Sequence, residues 1–216
     1  RVEKNKIYHK YEGHSSFGVD AVTRNKILKK YKKEIKALNC KDVLLNAEAL
    51  YSYGIEETIL AANFILKNRI DCINLSFLDK YLDNFCSWST VDDFCINVLQ
   101  PVLKKSPQKT ISLLSKWNTS KNMWKRRSSV VVFTRSVGQS GEFTDEALRF
   151  CEKLIWDKED MVQKGVGWCL KDIMRGEKEK VLDYVKKLRK RGVTSTITLY
   201  ALREIKGEEK RRVLSN

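Results

Sequence analysis

Helix breakers are almost missing from this chain. Its 216 residues hold only 2 Pro and 10 Gly, below the ordinary shares of about 5% and about 7%. Long stretches therefore run without a residue that would end a helix. Within them apolar residues return at helical spacing. Over 21–38, Val22, Ile27, Leu28, Tyr31, Ile35 and Leu38 share one face, and Lys29, Lys30, Lys32, Lys33 and Lys36 fill the other. The same period recurs over 41–53, 56–67, 74–85, 87–104, 106–117 and 121–137. It returns over 144–155, 157–174, 178–188, 194–205 and 208–214. Pro101 bends the fifth of these segments or ends it near Leu99. Val130, Val131, Val132 and Phe133 in isolation would suit a strand. Their apolar pattern extends on both sides and no partner strand is visible, so they read as buried helix. An all-α chain of about twelve helices of ordinary length follows.

Every second helix starts near 20, 55, 88, 120, 158 and 193. That spacing, ~32–38 residues, is the period of a helix-pair repeat. It predicts a solenoid of antiparallel helix pairs, with one helix of each pair lining a concave face. The whole chain, 1–216, reads as one such domain. Residues 1–19 form an N-terminal arm, a short helix and then a loop ending at Phe17-Gly18-Val19. Tyr8 and Lys10 on the arm are candidate ligand contacts; packing of Tyr8 on the core is the alternative.

Charge narrows the function classes. Lys and Arg number 42 against 27 Asp and Glu, a net +15. An excess of this size, spread along the chain, points to nucleic acid before acidic proteins. The six Cys form no Cys-x-x-Cys, and His9 and His14 have no Cys at ligand spacing. No metal site and no cofactor are expected. Cys95, Cys151 and Cys169 fall inside apolar helical patterns, as buried thiols do. With no signal peptide and no apolar run of ~18 residues, a reducing cell interior is expected.

Three tryptophans each share a helix face with a charge. They are Trp88-Ser-Thr-Val-Asp92, Trp124-Lys-Arg-Arg127 and Lys164-Gly-Val-Gly-Trp168, with Lys171 one turn on. All three lie on the same alternate set of helices, which would place Asp92, Arg127 and Trp168 side by side. Asp92 lies about 40° from Trp88 around a helix and Asp93 about 140°. Asp92 is therefore the acid on the aromatic face, and Asp93 is expected to point to solvent or cap. Each Trp alone suits ordinary core packing. Trp117 and Trp156 lack charged partners on their face and are assigned to the core. Lys125 and Arg126 read as surface charges, Lys125 within reach of DNA. Gly165 and Gly167 allow close approach of a ligand or of another helix.

These motifs, with Gln163-Lys-Gly-Val-Gly-Trp168-Cys-Leu-Lys171 quoted in full, resemble the DNA alkylation repair glycosylases of the AlkD type, built from HEAT-like repeats. The resemblance runs from about Tyr8 to the C-terminal helices. It implies a right-handed, C-shaped α-solenoid with a basic concave cleft for duplex DNA. It implies that Trp88, Trp168 and Asp92 line the lesion and that Arg127 holds the backbone, with Lys171, Lys164, Lys125, Tyr8 and Lys10 as further DNA contacts. The chain departs from the family pattern at Ser87 and Ser89, where a second Trp and an Asp are common, and at Lys171, where an Arg is often found.

The implied reaction is hydrolysis of the N-glycosidic bond of N3- or N7-alkylated purines such as 3-methyladenine and 7-methylguanine. No Lys stands beside Asp92 as a Schiff-base nucleophile, so a monofunctional enzyme without a lyase step is expected. The family works without a base-flipping pocket, and no nucleotide-pocket motif is evident. A monomer in the prokaryotic cytoplasm, with the nucleoid, completes the expectation. The alternatives are a non-catalytic binder of bent or branched DNA and a helical scaffold for acidic proteins.

Overall fold

The computed structural model describes residues 15–85 and 87–215. Tyr8 and Lys10 lie outside the described residues, as does most of the expected N-terminal arm. Among the described residues there are fifteen α-helices and no strand; Ser15 and Ile55 form one isolated parallel bridge. No helix is long and apolar enough to cross a membrane. The chain divides into two compact units, one ending at Leu113 and one starting at Leu114.

The first unit contains α1 (Ala21–Lys30), α2 (Lys32–Ala37), α3 (Cys40–Ser52), α4 (Glu56–Asn68), α5 (Leu75–Tyr81), α6 (Trp88–Phe94) and α7 (Gln100–Lys105). Side-chain caps start four of them: Asp20, Asn39, Asn74 and Ser87 accept from backbone N–H groups of the first turn. The expected single helix over 21–38 is two, because the backbone turns at Tyr31, whose N–H bonds back to Leu28. Helices α3 and α4 pack as a pair, and α1, α4 and α6 touch in succession. Tyr51 of α3 centres the core, with its ring 5.7 Å from Tyr81 and 5.3 Å from Phe85. Pro101 does not end the helix that begins at Trp88. A π turn over Cys95–Leu99 carries the chain from α6 into α7. The wider turn leaves the helix to continue past a residue that has no N–H to donate.

The second unit contains α9 (Met123–Val131), α10 (Arg135–Gln139), α11 (Thr144–Leu154), α12 (Asp160–Ile173), α13 (Lys178–Lys190), α14 (Ser195–Ala201) and α15 (Gly207–Leu214); α8 (Pro107–Trp117) leads into it. Helices α9, α12 and α14 touch in succession, and α11 pairs with α12. The valine run is buried helix, as its flanking pattern predicts, but the helix stops at Val131 rather than near 137. Thr134 is extended and Arg135 takes a left-handed φ of 55°, an uncommon conformation for a residue with a Cβ. Gly138, one residue past the expected helix end at 137, lies inside α10, where an added Cβ would lie 2.9 Å from the Asp172 backbone.

Two cysteines expected as free thiols are joined. The Cα atoms of Cys40, at the first position of α3, and Cys72, in the 3-10 turn after α4, are 5.0 Å apart and linked by a disulfide. Their separation of 32 positions in sequence hid the pairing, which depends on how α3 and α4 pack. Cys95, Cys151 and Cys169 stand outside the disulfide and are buried.

Candidate functional site

In the first unit the site residues are built on α6. Ser87 caps this helix by accepting from the Thr90 N–H, which sets Trp88 at its first position and Asp92 one turn on, on the same face. Trp88 is 42% exposed and Asp92 only 9%. An exposed indole thus stands beside a carboxylate largely withdrawn from water. Two of the three positions that depart from the family pattern, Ser87 and Ser89, have local tasks. Ser87 also bonds Thr90 Oγ1 at 3.0 Å, and Ser89 donates to the Glu56 carboxylate at the start of α4. An acid therefore reaches the neighbourhood of Trp88 from the adjacent helix.

Asp93 does not point to solvent. It is half-buried and faces α4, where Asn63 Nδ2 donates to it at 2.9 Å; Asn97 Nδ2 donates from one turn on at 2.8 Å. Burial pushes its carboxyl above the usual range, against the lowering effect of the two amides and of Arg24 and Lys67.

In the second unit α9 supplies Arg127. It is not a surface charge: it is buried to 4% exposure, and its Nη1 donates to the Met161 carbonyl on α12. A Cβ on Gly165 would lie 3.3 Å from Arg127 Cγ, so that glycine makes room for the arginine stem. Gly167 serves helix packing instead, since a Cβ there would lie 2.7 Å from Tyr200 Cβ. Trp124 is in the core, 6% exposed. Arg126, expected as a loose surface charge, is pinned: Nε donates to Asp157 at 2.6 Å and Nη1 to the Ser120 carbonyl at 2.8 Å.

Trp168 is half-buried on α12. The Arg135 guanidinium stands 5.4 Å from its ring centre, within cation–π range. The Arg135 N–H donates to Asp172 Oδ2 at 2.7 Å, which fixes the left-handed residue in place. No periodic pattern marks Arg135, because it follows a helix end; the signal was only its charge. Lys171 pairs with Asp172 at 3.1 Å and with Glu204 at 3.6 Å. Lys164 pairs with Asp160 at 2.6 Å. Lys125 is half-buried. Trp156, assigned to the core from sequence, is 61% exposed, because it lies in the turn after α11 rather than on its apolar face.

Among the described residues one cluster has metal-ligand types at short range, Cys40, Asp71 and Cys72. Its two sulfurs are joined in the disulfide, which removes the thiolates a metal would need.

The described helices pack in pairs, and the chain carries 42 Lys and Arg against 27 Asp and Glu. The family model for DNA alkylation repair enzymes matches residues 1–205, and the chain belongs to that family. Its fold is similar to that of a solved structure described as a predicted DNA alkylation repair enzyme from Enterococcus faecalis. The two share 16% sequence identity at a TM-score of 0.79, over 94% of each chain. No curated protein matches. Family membership makes DNA the substrate class.

Proposed function

We propose that the protein is a monofunctional DNA glycosylase that hydrolyses the N-glycosidic bond of N3- and N7-alkylated purines in duplex DNA. The observation that carries this reading is the pairing of open Trp88 with withdrawn Asp92 on one face of α6. An alkylated purine already bears a positive charge, so it leaves without a proton from the protein. Its bond to C1′ breaks, and the electron pair stays with the departing neutral base. The sugar becomes an oxocarbenium ion. Asp92, as a carboxylate, stabilises that cation, orients a water and accepts its proton as the water oxygen bonds to C1′. The indole face of Trp88 adds attraction to the cationic base and sugar, about 0.5–2 kcal/mol per contact. Arg127 exchanges the Met161 carbonyl for a phosphate as DNA docks, and with its basic neighbours fixes register. Lys164 and Lys171 join them by exchanging carboxylate partners for phosphate.

In this reading each of the two units is built from HEAT-like helix pairs and turns a basic face toward DNA. Support comes from the side-chain bonds. Many join residues one repeat apart: Lys80 to Glu48 (32 apart), Lys67 to Asn97 (30 apart), Arg126 to Asp157 (31 apart) and Tyr184 to Glu152 (32 apart). The protein acts as a monomer in the cell interior, beside the nucleoid.

The alternative is a non-catalytic binder of bent or branched DNA. Release of 7-methylguanine from methylated duplex, read beside duplex binding at low salt, separates the two. The glycosylase shows both, the binder shows binding alone, and a scaffold for acidic proteins shows neither.

A further inference from the structure

A cavity of about 300 Å³ opens in the first unit between α1, α4 and the helix that carries Asp92. It does not use Asp92. Consecutive residues on a helix diverge by about 100°, so Asp93 enters this cavity while Asp92 stays on the Trp88 face.

The Asp93 carboxylate is held in one arrangement by two amides, each fixed from behind. Tyr51 Oη donates to Asn63 Oδ1 at 2.7 Å, which turns Asn63 Nδ2 to Asp93. Lys67 Nζ donates to Asn97 Oδ1 at 2.7 Å, which turns Asn97 Nδ2 to the other carboxylate oxygen. Each oxygen keeps a further lone pair, so the group is a preset pair of acceptors. Phe64 lines the same cavity and is half-buried. Arg24 and Lys29 reach it from α1.

Complementarity narrows what fits. A bare phosphate would meet the cations but be repelled by Asp93. A simple cation would meet Asp93 but be repelled by Arg24, Lys29 and Lys67. A ligand that satisfies both has a donor-bearing edge, a flat face and an anion at the far end. A nucleotide has all three, and guanine presents two adjacent donors, N1–H and N2–H, where adenine, cytosine and thymine offer a carboxylate no such pair on that edge.

We propose that this cavity holds a single guanine nucleotide, its Watson–Crick edge on Asp93, its base against Phe64 and its phosphate on Arg24 and Lys29. The proposal rests on the DNA-repair reading for its source: an unpaired nucleotide of the DNA strand, or the same unit free in solution. It gives the chain a nucleotide pocket next to, and separate from, the acid assigned to bond cleavage.

The test uses the full chain at low salt. Calorimetric titration with 2′-deoxyguanosine 5′-monophosphate is paired with binding to a duplex carrying one bulged deoxyguanosine and to the same duplex fully paired. Wild type is expected to bind the monophosphate, to bind it better than the thymidine counterpart or inorganic phosphate, and to prefer the bulged duplex. Asp93→Asn is expected to weaken both guanine-dependent interactions roughly tenfold or more. Lys29→Ala is expected to weaken them too, and α1 contributes no buried residue to the core, so this variant keeps the proposal testable if Asp93→Asn fails to fold. Binding of the paired duplex with no guanine preference, or with variants equal to wild type, overturns the pocket and leaves the repair reading standing. Asp93-dependent binding of the monophosphate without binding of either duplex upholds the pocket for a free nucleotide and sinks the DNA reading.

Discussion

Asp92 and Asp93 are neighbours in sequence and opposites in surroundings. Asp92 shares its face with an open indole, while Asp93 is clamped by Asn63 and Asn97 across a helix contact. Helical phase alone separated the two correctly, but it did not foresee where Asp93 goes. Its destination depends on an asparagine thirty residues earlier, on α4. The raised Asp93 pKa gives a signed prediction. An acid whose pKa is raised by folding costs stability while ionised. As pH falls through its elevated value, the folded state takes up a proton that the unfolded chain does not yet hold, so stability rises. The effect is complete by the ordinary carboxyl value of 3.8. Urea unfolding of wild type and Asp93→Asn, from neutral pH down to about 4, is expected to show wild type gaining relative to the variant. A gap that is constant or widens the other way contradicts the assignment. Arg127 carries a similar lesson. The sequence marked it by its place beside Trp124, yet a surface charge was the simple alternative, and only the room made by Gly165 explains how it is buried.

At the scale of elements, the apolar period located nearly every helix, and the ends were less legible. A helix stops where a local backbone bond or a distant partner takes over. The N–H of Tyr31 turning back to Leu28 splits the first expected helix, and Asp172 holding the Arg135 N–H shapes the end of the valine run. Neither is encoded in a period. Close approach is likewise invisible until helices are placed. Gly167 sits where α12 and α14 meet, so Gly167→Ala should destabilise the fold by about 1–3 kcal/mol through overpacking, more than the roughly 1 kcal/mol that Ala gains over Gly in a helix. An unchanged or raised midpoint in urea would contradict that contact. The disulfide ties α3 to the turn after α4 across 32 residues. Cys40→Ser is expected to cost about 2–4 kcal/mol under oxidising conditions and to match reduced wild type in the presence of dithiothreitol. Equal melting of oxidised wild type and variant would show that the cross-link contributes nothing.

For the molecule as a whole, the proposed repeat follows from a helix-pair period in which each repeat buries its apolar face on the next. Side-chain bonds such as Arg175 to Glu204, 29 residues apart, echo the same spacing. The cationic excess of 42 to 27 predicts that duplex binding is dominated by phosphates. With about six phosphate contacts, affinity should fall by roughly a thousandfold between about 50 mM and about 200 mM salt; a flat salt dependence would argue against a phosphate-tracking surface. The candidate site rests on motif and helix phase together at Trp88 and Asp92, where the structure shows an exposed indole and a buried acid. It was not legible at Arg135, whose stacking on Trp168 arises from a left-handed turn. The central claim is that Asp92 stabilises the oxocarbenium ion and activates the water that completes hydrolysis. The most direct measurement is the rate of 7-methylguanine release from methylated duplex by wild type and by Asp92→Asn, with duplex affinity measured in parallel. Release by wild type, and its loss in Asp92→Asn with duplex binding retained, is the predicted result. Release at the wild-type rate by Asp92→Asn, or none from the wild-type protein while it binds the duplex, contradicts the account.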